Sequence, residues 1–288
     1  MKSNSVQKAA LLTAAISATV SSSLGFLPGT LPQAKALVVG QDNRVTPDYN
    51  WLTRPGQQRA AFGKLESQRQ DGFYQSCSFA VVGPNLGLTN AHCVMDEKGH
   101  LVRSVKAYAA RHGKNPNNTA RSFASANVDR VWKVLHHSPS TPNDFAKDWA
   151  IIRFTTNLGN LTGSLGNEGY GDGGRSMMGR VTNYIGYPND WPTASQLRPG
   201  DVRGSTPAQH AGCRFIGLDK GVLFHDCDTA PGTSGSNMYT RIADNHLRLM
   251  GINSSSGWLL TNGQRVNGAV PLDAFMPMLR QLRQTGGR

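Results

Sequence analysis

At 288 residues the chain is long enough to bury one large core or two smaller ones, and its ordinary apolar content excludes a disordered polymer. Its 32 Gly and 15 Pro, scattered without a repeat, imply many turns between short strands, which favours an all-β architecture. A formal charge of +12 attracts anionic partners at low salt, but no Lys/Arg-rich run or nucleic-acid motif accompanies it, so the charge reads as a diffuse solvated face with no specific nucleic-acid partner.

The first residues carry Lys2 and Lys8 and then an apolar stretch over 9–20. A basic start followed by a hydrophobic run too short to span a bilayer is the pattern of a secretory signal. Residues 1–36 are therefore expected to form a signal peptide with a possible short pro-segment, cleaved after Ser21 to Ser23 or after the Ala34-Lys35-Ala36 triplet. Loss of all 36 removes three lysines and leaves a charge of +9. No other run approaches membrane-spanning length, so a secreted, soluble and monomeric mature chain is expected.

Beyond residue 45, short apolar runs alternate with turn signals. Strands are expected at 78–82, 101–109, 128–135 and 149–154, and again at 181–187, 221–225, 237–241, 247–252 and 268–270. The Gly- and Asn-rich stretch over 157–174 marks the boundary between two half-domains, placed at 37–160 and 161–288. Near the end Leu272, Phe275, Met276, Leu279 and Leu282 follow helical spacing, which predicts a helix over 272–285 with Pro277 kinking or restarting it. The four cysteines fall as one pair in each half. Of three possible connectivities this grouping favours Cys77 with Cys93 and Cys213 with Cys227. Short C-x-x-C spacings are absent, so no metal site is read here, and no cofactor motif is present.

Three segments carry chemistry, in the order His92, Asp148, Ser234. His92 ends Thr89-Asn90-Ala91-His92-Cys93 after a strand, Asp148 opens the strand that continues Trp149-Ala150-Ile151-Ile152, and Ser234 sits in the tight loop Gly232-Thr233-Ser234-Gly235-Ser236. A serine hydroxyl is a weak nucleophile that needs a base, and an imidazole base needs an acceptor on its other nitrogen to fix the tautomer. Asp144 is the rival acceptor; Asp148 fits better because an apolar strand follows it. Gly232 and Ser234 are expected to offer backbone N–H groups to a developing oxyanion. The His-Asp-Ser order, and Ser236 where a second Gly would stand, exclude an α/β-hydrolase elbow. The adjacent His136 and His137 point to opposite strand faces and read as surface residues.

With these motifs in sequence, the chain resembles the chymotrypsin-like serine proteases, and particularly the bacterial glutamyl endopeptidase branch. The likeness runs through Val39-Gly40-Gln41-Asp42-Asn43-Arg44, Asn90-Ala91-His92-Cys93, Asp148, Gly186-Tyr187-Pro188, Asp228-Thr229, the Ser234 loop and Asn267-Gly268-Ala269-Val270. It implies two antiparallel six-stranded β-barrels with a cleft between them, endopeptidase activity on protein or peptide substrates, and a Cys77–Cys93 bridge beside His92.

The resemblance also places a specificity pocket at Asp228, Thr229, Asn253, Ser256 and Gly268. Asp228 falls where trypsin-like enzymes hold Arg or Lys, whereas Asn253 replaces the histidine with which glutamyl endopeptidases meet a Glu side chain. Arg/Lys or broad specificity is therefore expected in preference to strict Glu. Thr233 stands where trypsin-like zymogens carry the aspartate that pairs with a freed amino terminus, so that activation switch is not expected. The alternative reading is a catalytically weak or inactive homologue that binds acidic partners through its basic surface.

Overall fold

The computed structural model describes residues 37–114, 120–167, 171–242 and 246–288; the expected signal segment at 1–36 lies outside them. Two rings of antiparallel strands form the body of the described structure. The first uses β1 (Phe62–Gln68), β2 (Tyr74–Val81), β3 (Leu86–Thr89), β4 (Ser104–Ala109), β5 (Ala124–Lys133) and β6 (Ala150–Phe154). These close in the order β1-β2-β3-β6-β5-β4, with β4 returning to β1. The second uses β7 (Val181–Gly186), β8 (Ala208–Asp219), β9 (Val222–His225), β10 (Asn237–Arg241), β11 (Leu247–Leu259) and β12 (Arg265–Pro271). Here the order is β10-β7-β8-β9-β12-β11, and β11 pairs back onto β10. Closure removes the free edges that an open sheet would expose.

Side-chain alternation decides which residues fill each ring. Phe62, Leu65, Phe79, Leu88, Ile152 and Phe154 are fully or nearly fully buried in the first half, and Tyr184, Phe215, Leu223, Ile252 and Val270 in the second. In β2 both faces are buried, since Ser78 and Ala80 are as inaccessible as Phe79 and Val81. One face looks into the first barrel and the other meets the second. Phe62 and Tyr239 make a further contact between halves, with ring centroids 4.9 Å apart.

Sequence periodicity foresaw one helix at the end of the chain; the structure splits that segment. Leu272–Ala274 forms a 3-10 turn and Met276–Thr285 an α-helix with Pro277 in its first turn, where a missing N–H costs nothing. The helix follows the last strand of the second barrel yet docks on the first. Its Arg283 guanidinium donates to the carbonyls of Val82 (2.6 Å) and Leu165 (3.1 Å), and Phe275 packs near Trp149.

Candidate active site

β3 ends at Thr89, and the chain turns through a short 3-10 segment, His92–Val94, which a Cys77–Cys93 disulfide ties to β2. Asp148 stands just before β6, the neighbour of β3, so ladder register alone brings it beside His92. Asn90 strengthens the approach by donating its side-chain amide to the Asp148 carbonyl (2.6 Å). The Asp148 carboxylate is completely buried and receives the His92 backbone N–H (3.0 Å), His92 Nδ1 (2.7 Å) and the Ser254 hydroxyl (2.7 Å). With Nδ1 donating, Nε2 is the acceptor of the neutral ring. The His92 side chain keeps 28% exposure, so the imidazole reaches the cleft while the carboxylate it binds does not. Desolvation pulls the His92 pKa down, but the Asp148 charge and hydrogen bond outweigh it and hold the imidazole above its ordinary value.

Asp144, the rival acceptor, is occupied elsewhere. It closes a capping box with Thr141 at the helix Pro142–Phe145 and lies 3.2 Å from the exposed His137.

Ser234 lines the same two cavities as His92, of about 370 and 310 Å³. The loop around it is built so that two amides face the cleft. Thr233, Gly235 and Ser236 donate their N–H groups to Ala230, Asn253 and Ser236's own loop partner Thr233, whereas the N–H groups of Gly232 and Ser234 have no acceptor among the described residues. Each free amide is aimed from behind, because a planar trans peptide sends its N–H opposite to its carbonyl. Asn189 N–H holds the Pro231 carbonyl (2.7 Å), which points the Gly232 N–H away. Ser236 N–H (2.8 Å) and the Asn253 side-chain amide (3.2 Å) hold the Thr233 carbonyl, which does the same for Ser234. Gly232 has φ +98, and a Cβ there would fall 2.4 Å from the Tyr187 carbonyl; at Gly235, with φ +81, one would fall 2.2 Å from the Ser78 carbonyl. Both positions demand glycine.

Ser78, from the first barrel, pins this loop of the second. Its N–H donates to the Ser234 carbonyl (2.7 Å), and its hydroxyl donates to the Gly232 carbonyl (2.9 Å) while accepting the Tyr187 N–H (2.9 Å).

Of the five residues expected to form the specificity pocket, Thr229, Asn253 and Ser256 line the 370 Å³ cavity with Ser234. Asp228 and Gly268 do not. The buried Asp228 carboxylate turns the other way and accepts the backbone N–H groups of Val39 (2.8 Å) and Asn43 (2.7 Å), so it holds the amino-terminal strap and offers nothing to a basic side chain. The strap also runs its Leu37 carbonyl to Thr229 N–H, and buries Arg44 between Asp42 and Asp190. His210 supports the same corner, its Nδ1 accepting the Asp228 N–H (2.8 Å), and a Cys213–Cys227 disulfide fixes the chain one residue before it. Gly268 lies behind the pocket wall, where the Trp258 indole donates to the Ser255 hydroxyl across it; a Cβ would sit 2.5 Å from that oxygen.

The cavity is lined by no Asp, Glu, Lys or Arg. Thr229 Oγ1 is buried without a hydrogen-bond partner, and Asn253 is gripped from behind by His225, 3.2 Å from its Oδ1. Burial pushes the His225 pKa down to about 3, so this ring is neutral. His92 also lies close to Cys77 and Cys93, but both sulfurs are spent in the disulfide and hold no thiolate for a metal.

Residues 75–242, more than half of the chain, match the model of the trypsin-like peptidase domain. The chain belongs to the trypsin-like peptidase family. As such it is a serine endopeptidase. Solved structures with the same fold include a Glu endopeptidase (20% identity, TM-score 0.63, covering 86% of this chain and 100% of that one). The protease Anisep from Arthrobacter nicotinovorans is also similar (15% identity, TM-score 0.54, 74% and 90% covered), as is a thermostable serine protease from an extremophilic microorganism (14% identity, TM-score 0.59, 78% and 98% covered). The search of curated protein sequences found no significant match.

Several residues around the peptidase's cleft are invisible to motif reading. Ser78, Asn189 and His225 act through backbone carbonyls or a second side chain, and nothing in their local sequence announces a partner more than 20 residues away. Ser254 carried a signal, since it lies in the small-residue run after Gly251-Ile252, but its contact with Asp148 does not.

Proposed function

We propose that the peptidase cleaves peptide bonds with Ser234 as nucleophile, His92 as general base and then acid, and Asp148 as the group that orients and stabilises the imidazolium. The Gly232 and Ser234 amides receive the oxyanion. The observation that carries this reading is the conjunction of a buried carboxylate on His92 Nδ1 with two unengaged amides beside Ser234. His92 accepts the Ser234 proton as the hydroxyl attacks the carbonyl, and returns it to the leaving amine; water then repeats the cycle on the acyl-enzyme.

For the residue preceding the scissile bond we infer a preference for uncharged polar side chains. Neither an Arg nor a Glu side chain would find a counter-charge in this cavity, and an unpaired buried charge is costly, while the uncharged polar residues Thr229, Asn253 and Ser256 line it. Secretion agrees with two disulfides and with the absence of any described helix long and apolar enough to cross a membrane. The test is cleavage-site profiling in a mixed peptide library with the wild type and Ser234→Ala, alongside labelling by a fluorophosphonate. Turnover and labelling should vanish together in the variant; cleavage that survives it refutes the assignment and favours a different nucleophile.

A further inference from the structure

The outer face of the first barrel carries a second groove, of about 520 Å³. Tyr74, Gln75 and Ser76 of β2 line both this groove and the cavity of Ser234, so the two are continuous along one strand. On the proposed reading of the cavity at Thr229 and Ser256, the acyl side of the scissile bond lies there, and the other cavity at His92 extends along the same Ser254 to Ser256 segment. The route past β2 and the Cys77–Cys93 bridge is what remains for the leaving side.

The groove's floor follows from β-register. Ser76 pairs with Glu66, Glu66 with Lys106, and Lys64 with Tyr108, so their side chains share the outward face of β2, β1 and β4. Glu66 is already neutralised, with Lys64 Nζ at 3.0 Å and Arg111 Nη2 at 3.7 Å from its carboxylate. Lys106 is exposed, lies over the Tyr108 ring at 5.2 Å, and has no carboxylate partner among the described residues. The groove's lining thus holds two cations, Lys64 and Lys106, against one anion, with Arg111 reaching that anion from beside it, and the charge left without a carboxylate partner is that of Lys106.

We propose that this groove is an exosite for acidic side chains in the substrate segment that follows the scissile bond. The proposal rests on Ser234 being the nucleophile, because that fixes which end of the substrate runs over β2. An acidic side chain there replaces no existing ion pair and meets the Lys106 ammonium at a rim where both charges keep part of their hydration, so the gain falls on substrate capture more than on the chemical step.

The experiment uses internally quenched peptides, identical up to the cleaved bond and carrying Asp/Glu, Ser/Gln or Lys residues after it, together with a small ester of the same acyl part that has no residues beyond the bond. In the wild type kcat/KM should be up to about fivefold higher for the acidic than for the neutral tail, and lowest for the lysine tail, with the difference collapsing at high salt. Lys106→Glu should reverse the order of the tails while hydrolysing the ester at the wild-type rate. Indifference of the wild type to tail charge, or an acidic preference that persists in Lys106→Glu, overturns the groove proposal alone, because the ester still reports Ser234 chemistry. Ester turnover that survives Ser234→Ala overturns the catalytic reading, and the groove proposal with it.

Discussion

Replacing Asp228 with Ala separates the two roles this carboxylate has been given. In the structure it accepts two backbone N–H groups from the strap, those of Val39 and Asn43. Hydrogen bonds to a charged acceptor are worth about 1.5–3 kcal/mol each, and a donor left buried costs a similar amount. The strap is only half-buried at Val39 and exposed at Asn43, so both amides can regain water if it peels away. The net loss is therefore about 2–4 kcal/mol. For a domain of this size that corresponds to a fall in Tm of roughly 5–15 °C. Thermal unfolding gives the first readout and amide hydrogen exchange at Val39 and Asn43 the second, while peptide profiling should show the same ranking of cleaved residues as the wild type. An Asp228→Ala protein with unchanged Tm and exchange that loses a preference for Arg would refute the reasoning and restore the carboxylate-pocket idea.

Two further outcomes are expected. Because Asp148 holds the His92 pKa above 6.5, the imidazole stays protonated, and the enzyme inactive, to a higher pH than an isolated histidine would dictate. The acid limb of kcat/KM should therefore have its midpoint above that value, and Asp148→Asn should shift it downward while cutting kcat by about 10⁴; a limb unmoved in the variant would remove His92 as the titrating base. Asn253→Ala removes one of the two donors that hold the Thr233 carbonyl behind the Ser234 amide, leaving the Ser236 N–H, so kcat should fall by up to about tenfold with the ranking of cleaved residues intact, whereas an altered ranking would return Asn253 to direct substrate contact.

The all-β character was legible because most strands announce themselves as short apolar runs between turns, while their division into two barrels came from the resemblance to the chymotrypsin-like serine proteases. Two strands were not. β1 (Phe62–Gln68) carries Lys64, Glu66 and Ser67 among its apolar positions, and its charged side chains line a groove that no local pattern reveals. β8 (Ala208–Asp219) breaks its alternation at a bulge between Phe215 and Gly217. At the cleft, the residues that would exchange protons are readable as types in a fixed order, since chemistry restricts them to Ser, His and Asp. The pocket was not readable in the same way. Asp228 has the right type and spacing for a basic substrate, but the direction of its carboxylate depends on a strap 185 residues or more away in the chain, and only the assembled corner shows where its charge is used.

Ser78 ties the Ser234 loop to the seam between the two barrels. A residue from the first barrel grips the Ser234 loop of the second, and the last helix of the chain reaches back to clasp Val82 and Leu165. The proposed catalytic groups are thus held across a seam, His92 and Asp148 on one barrel and Ser234 on the other, so a change that loosens Ser78 would act on the geometry of the Ser234 loop while leaving the strand ladders of each barrel intact.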